Sequence, residues 1–262
     1  MTLATTLLLM LVGLLAGGFG AVVGLGGGII ITPVLVIYYG LSIHQAIGIS
    51  LVCVIATSTA TSSAYVERHI TDIRLGMTLE LATTLGAMVA ALFAQHINRR
   101  ILALLFIVFL VYTGASMVQK AWSSRGEKQS EEIPPYEVKN YPAGLAASLL
   151  AGGFSGLLGI GGGPIKVPVM LLLMKVPLRV ATATSNFMIG VTAATSAYVY
   201  WGHGEINTTM AAPLVAGVFA GSLVGVRLSG KIRPSYILLL LIGVTSWLAV
   251  RMVLEIMHGG FQ

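Results

Sequence analysis

A five-residue glycine-rich stretch occurs twice in this chain and limits what the chain can fold into. The first copy, GLGGG, covers residues 24–28, and the second, GIGGG, covers residues 159–163. Residues 16–33 and 151–168 align at a constant offset of 135 without a gap, and 10 of the 18 positions are identical. A match of this density indicates an internal duplication, so the chain consists of two copies of one unit.

The composition predicts an integral membrane protein. Of the 262 residues, 56% are apolar and only 9% are charged, and the mean hydropathy is +0.91. Soluble domains carry about 25% charged residues. The net charge of +6 does not indicate a nucleic-acid partner, because the basic residues lie at the ends of apolar runs, where membrane topology explains them. The lipid bilayer is therefore an expected partner.

The apolar runs predict an all-α membrane protein built from two homologous five-segment repeats. The repeats cover residues 1–122 and 142–262, and a polar stretch, residues 123–141, joins them. Eight segments have roughly the 20 residues that span a bilayer. The other two follow the glycine stretches, have only 12 residues and are expected to be short or broken helices. The ten segments fall at about 3–24, 29–40, 46–66, 75–95, 101–122, 142–160, 164–175, 181–201, 208–227 and 236–256.

The distribution of basic residues favours ten crossings. If every segment crosses, 11 basic residues lie on one side and 4 on the other, whereas re-entrant short segments would give about 8 against 7. The positive-inside rule then places both termini outside and the linker on the cytoplasmic side. The expected membrane is a bacterial or archaeal inner membrane. An odd number of crossings per repeat makes the halves antiparallel, as in many secondary transporters. The side with 11 holds Arg68, Arg74, Lys120, Arg125, Lys128, Lys139, Lys175, Arg179, Arg227, Lys231 and Arg233; the side with 4 holds Arg99, Arg100, Lys166 and Arg251.

The two glycine stretches are the first candidate binding elements. Each lies directly before a short segment, so its backbone N–H groups and the positive end of the helix dipole favour an anion. In antiparallel halves, two such helix starts could face one central site. The alternative is that the glycines only permit a tight turn and close packing. The candidate substrate-binding glycines are Gly26, Gly27, Gly28, Gly161, Gly162 and Gly163.

Hydroxyl and amide side chains supply further candidates. The third run and its mate in the second repeat are rich in Ser and Thr, and Ser50 matches Ser185 at the offset of 135. Thr184 and Asn186 flank Ser185. Neutral donors suit an anion that must be released again, although at least half of such hydroxyls in membrane helices bond to backbone or to neighbouring helices.

Two ionisable residues lie within apolar segments. Lys166 follows Gly163 by three residues, at the position matched by Ile31, and its cation suits an anionic substrate. The alternative is that Lys166 extends to the membrane surface. Glu80 lies one to two turns inside the fourth run and is the candidate carrier of a coupling proton, or else it is solvated near the cytoplasmic end. His44 is expected in a loop.

Stripes of small residues predict close helix packing. Ala82, Gly86, Ala90 and Ala94 recur every four positions, and their mates are Gly217, Gly221, Gly225 and Ser229. Such stripes favour static packing over a sliding surface, and they serve packing within one chain or between chains, so a homo-oligomer stays open. The sequence has no P-loop, HExxH, CxxC or GxSxG motif, and we expect no enzyme, no cofactor and no metal site.

The chain resembles the TauE/SafE family of membrane permeases. The resemblance rests on residues 20–28 with Pro33, on residues 156–163 with Pro168, and on the Ala- and Thr/Ser-rich runs that begin at Ala46 and Ala181. It implies secondary transport, as export or sometimes uptake, of small sulfur-containing anions such as sulfite, thiosulfate or sulfoacetate. It places the site at the two glycine stretches and near Ser50, Ser185 and Asn186. The halves differ at Ile31 and Lys166 and at Leu51 and Asn186, so the site is expected to be asymmetric.

These observations predict a secondary transporter of a small sulfur oxyanion that exposes a midplane site alternately to each side. Two alternatives stay open. The chain could be a permease for another small anion or for a metal ion, although carboxylate and His clusters in the membrane are lacking. It could also be a membrane scaffold subunit that transports nothing.

Overall fold

The computed structural model describes residues 2–123, 135–228 and 234–257, which are helical and contain no strand. Most of the predicted linker and the basic residues Arg125, Lys128, Lys231 and Arg233 lie outside these ranges, as does Ser229. The described helices are α1 Leu3–Val23, α2 Gly28–Tyr39, α3 Ile43–Glu67, α4 Ile73–Ala94, α5 Arg99–Ser123, α6 Tyr141–Leu158, α7 Gly163–Pro168 with a π-helical continuation Val169–Leu173, α8 Leu178–Gly202, α9 Thr208–Leu228 and α10 Pro234–Met257.

Seven of the described helices are long and apolar enough to cross a membrane: α1, α3, α4, α5, α6, α9 and α10. The sequence predicted eight long spans, so this count is a correction. The eighth, α8, has 25 residues, but its first turns carry Arg179, Ser185 and Asn186, which lower its hydropathy.

The two segments after the glycine stretches are short, as predicted, but they differ from each other. Helix α2 continues through Pro33 as one helix of 12 residues. Helix α7 ends at Pro168 after 6 residues, and the chain continues as a π-helix. A proline inside a helix removes a backbone donor, which is a common cause of such a local change in winding.

The small-residue stripes pack backbone against backbone between the halves. A side chain on Gly221 or Gly225 would meet the backbone of Leu14 or Gly18, so α9 lies directly on α1 and runs parallel to it. Helix α4 lies on α6 in the same way, because a side chain on Gly156 would come within 3.0 Å of the Ala87 carbonyl carbon. Each half therefore contributes its first helix to a pair with the fourth helix of the other half.

The corresponding helices α3 and α8 pack together at the centre and run antiparallel. The Ser58 and Ser62 hydroxyls, near the end of α3, donate to the Asn186 carbonyl near the start of α8. Gly48, near the start of α3, faces Glu205 just after the end of α8. His44, expected in a loop, is the second residue of α3 and is buried, so that prediction was wrong.

Candidate functional site

The two glycine stretches form loops with the same backbone conformation. Each loop begins with a glycine that caps the preceding helix and ends with a glycine that precedes the short helix. In the first loop, φ is 82° at Gly24 and 75° at Gly27. In the second, φ is 68° at Gly159 and 74° at Gly162. Residues with side chains rarely adopt these angles, which explains why glycine occurs at the same places in both copies.

The two loops touch each other through matching positions. A side chain on Gly28 would meet both the Gly159 carbonyl oxygen and, at 2.7 Å, the Ser50 hydroxyl. A side chain on Gly163, the mate of Gly28, would meet the carbonyl of Gly24, the mate of Gly159. The structure thus brings together the glycines that the sequence singled out, and the contact is reciprocal between the halves.

The loops leave buried backbone donors without partners. The carbonyl of Gly27 accepts from the N–H groups of Ile30 and Ile31, so the helix start is formed. Within the part of the chain that the structure describes, the N–H groups of Gly26, Gly27, Gly161 and Gly162 donate to no backbone or side-chain acceptor. Nearly all buried backbone donors in proteins have a partner, so these groups are available to a ligand or to water.

The hydroxyls of α3 already donate to loop carbonyls in this conformation. Ser50 Oγ donates to the Gly159 carbonyl at 2.8 Å and lies 3.4 Å from the Gly28 carbonyl, so it joins the two loops. Thr57 Oγ1 donates to the Gly26 carbonyl at 3.1 Å. These bonds hold the loops in place and turn the α3 hydroxyls toward the backbone.

The polar residues of α8 divide between two locations. Thr184 Oγ1 accepts the Asp72 N–H at 3.0 Å, so this side chain anchors the α3–α4 loop. Ser185 Oγ and Asn186 Oδ1 are buried and have no hydrogen-bond partner among the described residues, while Asn186 Nδ2 lies 3.4 Å from the Ala21 carbonyl. Ser185 Oγ and Asn186 Oδ1 are therefore available to a ligand, whereas the Thr184 oxygen already accepts the Asp72 N–H.

Lys166 is buried and forms an ion pair with Glu80. Its ammonium nitrogen lies 3.1 Å from Glu80 Oε2 and 2.9 Å from Thr192 Oγ1, and the Thr192 hydroxyl donates to Glu80 Oε1 at 2.5 Å. Lys166 is 2% exposed and Glu80 is 7% exposed. Lys166 therefore does not extend to the membrane surface, and Glu80 is not solvated. Without Lys166, the number of basic residues on the sparsely charged side of the membrane falls from 4 to 3. This strengthens the difference in basic residues between the two sides.

The ion pair adjoins the second glycine loop. A side chain on Gly162 would lie 3.4 Å from Lys166 Cε and 3.5 Å from Ser155 Cβ. Ser155 Oγ is buried and has no hydrogen-bond partner within the described ranges. A loop with free N–H groups, a cation and an unpaired hydroxyl thus meet at one place, which suits a small oxyanion.

Sequence reasoning found the ionisable residues but not their pairing. Glu80 and Lys166 lie in different halves, and no repeat offset relates them. Thr192 was visible as the mate of Thr57, yet nothing in its local pattern points to Lys166. Ser155 replaces Gly20 at the offset of 135, and this exchange within an otherwise matched stretch was the one available signal.

Comparison with known proteins gives a consistent result. Residues 9–252 match the family described as Sulfite exporter TauE/SafE. The chain is 30% identical over 252 residues to a probable membrane transporter protein, YunE, of Bacillus subtilis, covering 89% of this chain and 92% of that protein. It is 27% identical over 236 residues to a probable membrane transporter protein of Xylella fastidiosa, covering 90% and 89% of the two chains.

A plant relative matches over a shorter stretch. The Sulfite exporter TauE/SafE family protein 1 of Arabidopsis thaliana is 34% identical over 119 residues, which is 44% of this chain and 26% of that protein. No solved structure matches the chain.

Proposed function

Because the chain belongs to the TauE/SafE family of membrane transporters, we propose that it is a secondary transporter, working as an exporter, of small sulfur-containing anions such as sulfite, thiosulfate or sulfoacetate. The substrate binds where the second glycine loop meets Lys166. The proposed location is a bacterial or archaeal inner membrane, with both termini outside.

The buried Lys166–Glu80 pair is the observation that carries the proposal. Removing an ammonium group from water costs several kcal/mol, so a lysine buried in a membrane protein marks a functional site by default. The first repeat carries Ile31 at the equivalent position, so helix packing does not require the charge. Lys166 supplies the cation, and the N–H groups of Gly161 and Gly162 supply neutral donors for the oxygens of the anion.

Glu80 is proposed to couple transport to a proton. In the described conformation the pair is neutral as a whole. An anion that binds Lys166 leaves the Glu80 carboxylate uncompensated, and a proton on Glu80 restores neutrality. Thr192 contacts both groups and can move its hydroxyl hydrogen bond as the pair opens. Each monoanion bound then brings one proton with it.

The helix arrangement supports alternating access. The corresponding helices α3 and α8 are antiparallel, and reciprocal contacts join Gly28 to Gly159 and Gly163 to Gly24. Antiparallel repeats around a central site are the basis of rocking-type transport. We propose that the two halves rock about the α3–α8 contact.

Ligand-dependent thermal stability of the purified protein tests this function. The screen uses sulfite, thiosulfate, sulfoacetate, sulfate, acetate and divalent cations. A ligand at about 100 times its dissociation constant stabilises the folded state by roughly 2.7 kcal/mol. We expect one sulfur oxyanion to stabilise the wild type, to lose its effect in Gly162→Leu and to bind more weakly in Lys166→Ala. Gly153→Leu is the matched control, because a Cβ atom at Gly153 has no other heavy atom within 4 Å.

The screen also separates the alternatives. Stabilisation by a divalent cation alone would favour a metal permease, and stabilisation by acetate alone would favour another anion. No stabilisation by any solute, together with no flux in proteoliposomes, would contradict transport and favour a scaffold subunit.

A further inference from the structure

A polar cavity lies at the end of the bundle where α3 and α5 begin and α4 ends. Its volume is about 590 Å³, and its walls come from α3, the α4–α5 connection, the start of α5 and the α8–α9 loop. The lining residues are His44, Gln95, Ile97, Asn98, Arg99, Arg100 and Glu205. From Glu80 to Gln95 the separation along α4 is roughly 22 Å, at 1.5 Å per residue, so this cavity is distinct from the central site.

Donors outnumber acceptors in this cavity. Arg99 and Arg100 place two guanidinium groups at the start of the 25-residue helix α5, where the helix dipole adds positive potential. Gln95 Nε2 is buried and finds no acceptor in the part of the chain that the structure describes. Among the described residues, neither arginine forms an ion pair, and Glu205 is the one acidic residue in the lining.

The wall of the cavity is ordered by the chain itself. Asn98 Oδ1 accepts the Arg100 N–H at 2.9 Å and so caps the start of α5. His44 Nε2 lies 3.0 Å from the Ala94 carbonyl, which ties α3 to the end of α4. These bonds fix the ends of α4 and α5 that carry Gln95, Arg99 and Arg100, and the two arginine side chains are exposed to solvent, where another molecule can reach them.

We propose that this cavity is a second binding site, for a small oxyanion held by Arg99, Arg100 and Gln95. Guanidinium groups bind the oxygens of sulfonate, sulfite or phosphate in pairs, and the Gln95 amide adds a neutral donor. One part of this proposal, the assignment of the cavity to the outer membrane face, rests on the proposed function. There it concentrates anions at the mouth of the transport path, as cationic clefts do for charged ligands.

Binding of thiosulfate and of inorganic phosphate at low ionic strength tests this site. The central site is first removed by Glu80→Val with Lys166→Ile, and thermal melting checks that the protein is folded. We expect this variant to retain a binding event that weakens with added salt. Adding Arg99→Gln and Arg100→Gln should weaken it by about tenfold or more, since a hydrogen bond to a charged group is worth about 1.5–3 kcal/mol.

The chain offers a matched control. Arg251 was assigned to the same membrane face, but it lies over the Trp247 ring at 6.0 Å and does not line the cavity. Arg251→Gln should leave the remaining binding unchanged, and Gln95→Met should weaken it without removing a charge.

Equal binding with and without the two arginines would overturn the proposal, as would an equal loss in Arg251→Gln. Loss of all binding with the central pair would overturn it too. Absence of flux in the wild type, with the outer site intact, would instead count against the proposed function alone.

Discussion

At the first glycine loop, Thr57 donates to the Gly26 carbonyl, and the neighbouring positions hold Ile31 and Val215. At the second loop, the mates of these three residues are Thr192, Lys166 and Glu80, which bond to one another. The loop backbones are alike, so the duplication preserved a frame while the chemistry changed on one side only. The loop backbone therefore does not need charged neighbours. We expect the function to depend on the second loop, where the charged residues lie.

The largest expected effect comes from breaking the pair at one end. Glu80→Val leaves the Lys166 ammonium group buried without its carboxylate partner, which costs about 3–5 kcal/mol of stability. Adding Lys166→Ile gives the charged site the apolar residue types found at the matched positions, Ile31 and Val215, and should restore most of that stability, because buried pairs are often replaceable by well-packed apolar groups. Thermal melting in detergent measures both. A single variant as stable as the wild type would contradict the buried pairing.

Next in size is the effect of a side chain between the loops. Gly163→Ala places a methyl group against the Gly24 carbonyl and 3.2 Å from Leu25 Cα. Gly28→Ala makes the reciprocal contact at Gly159, and neither backbone can yield easily. We expect each to lower stability by about 3 kcal/mol, the upper end for overpacking. Gly153→Ala is the control and should not destabilise, since the space beside it is open. Unequal losses at Gly28 and Gly163 would break the equivalence of the two loops.

The matched threonines should respond differently. Thr192→Val removes a hydroxyl that bonds to both charged groups and should cost about 2 kcal/mol, within the range for bonds to ions. Thr57→Val removes a bond to a neutral carbonyl and should cost about 1 kcal/mol. Anion flux should fall only in Thr192→Val. Equal loss of flux in both variants would show that the two sides share the chemistry.

The smallest expected effect concerns the matched loops that follow α3 and α8. Asp72 matches Glu205 at an offset of 133, but only Asp72 accepts a side-chain bond, from the Tyr136 hydroxyl at 2.9 Å. Burial, and then the bond to Asp72, raise the pKa of Tyr136 above its ordinary value, so the phenol stays a donor at neutral pH. Tyr136→Phe should lower stability by about 1 kcal/mol. Tyr141→Phe serves as the control, because Tyr141 is exposed. No difference between the two would show that this bond contributes nothing.

Much of the frame could be predicted from the sequence, since it depends on local rules. The repeat located both loops, and the stripes with Gly86 and Gly221 indicated helix faces that pack closely, because glycine is needed wherever backbones touch. Which helices meet at these faces was not predicted. The break in winding after Pro168, absent after Pro33, was not predicted, since both prolines have the same local surroundings.

The site could be predicted only in part. Lys166 and Glu80 were each noticed because charges are rare in apolar segments, but their pairing depends on how α4, α7 and α8 pack. The cavity at the start of α5 draws its lining from four separate stretches, and no motif in any one of them marks it. Thr184 was proposed for the site because of its neighbours, and the bond that its oxygen accepts from the Asp72 N–H could not be predicted from them, because it depends on how the α3–α4 loop packs.

The most direct test is flux of the stabilising sulfur anion into proteoliposomes, measured for the wild type and for Glu80→Val with Lys166→Ile. The double variant carries the residue types of the two matched positions, Val215 and Ile31, so it should melt near the wild-type temperature and transport nothing. A double variant that is folded and transports at the wild-type rate would contradict the assignment of the anion site to the charged side.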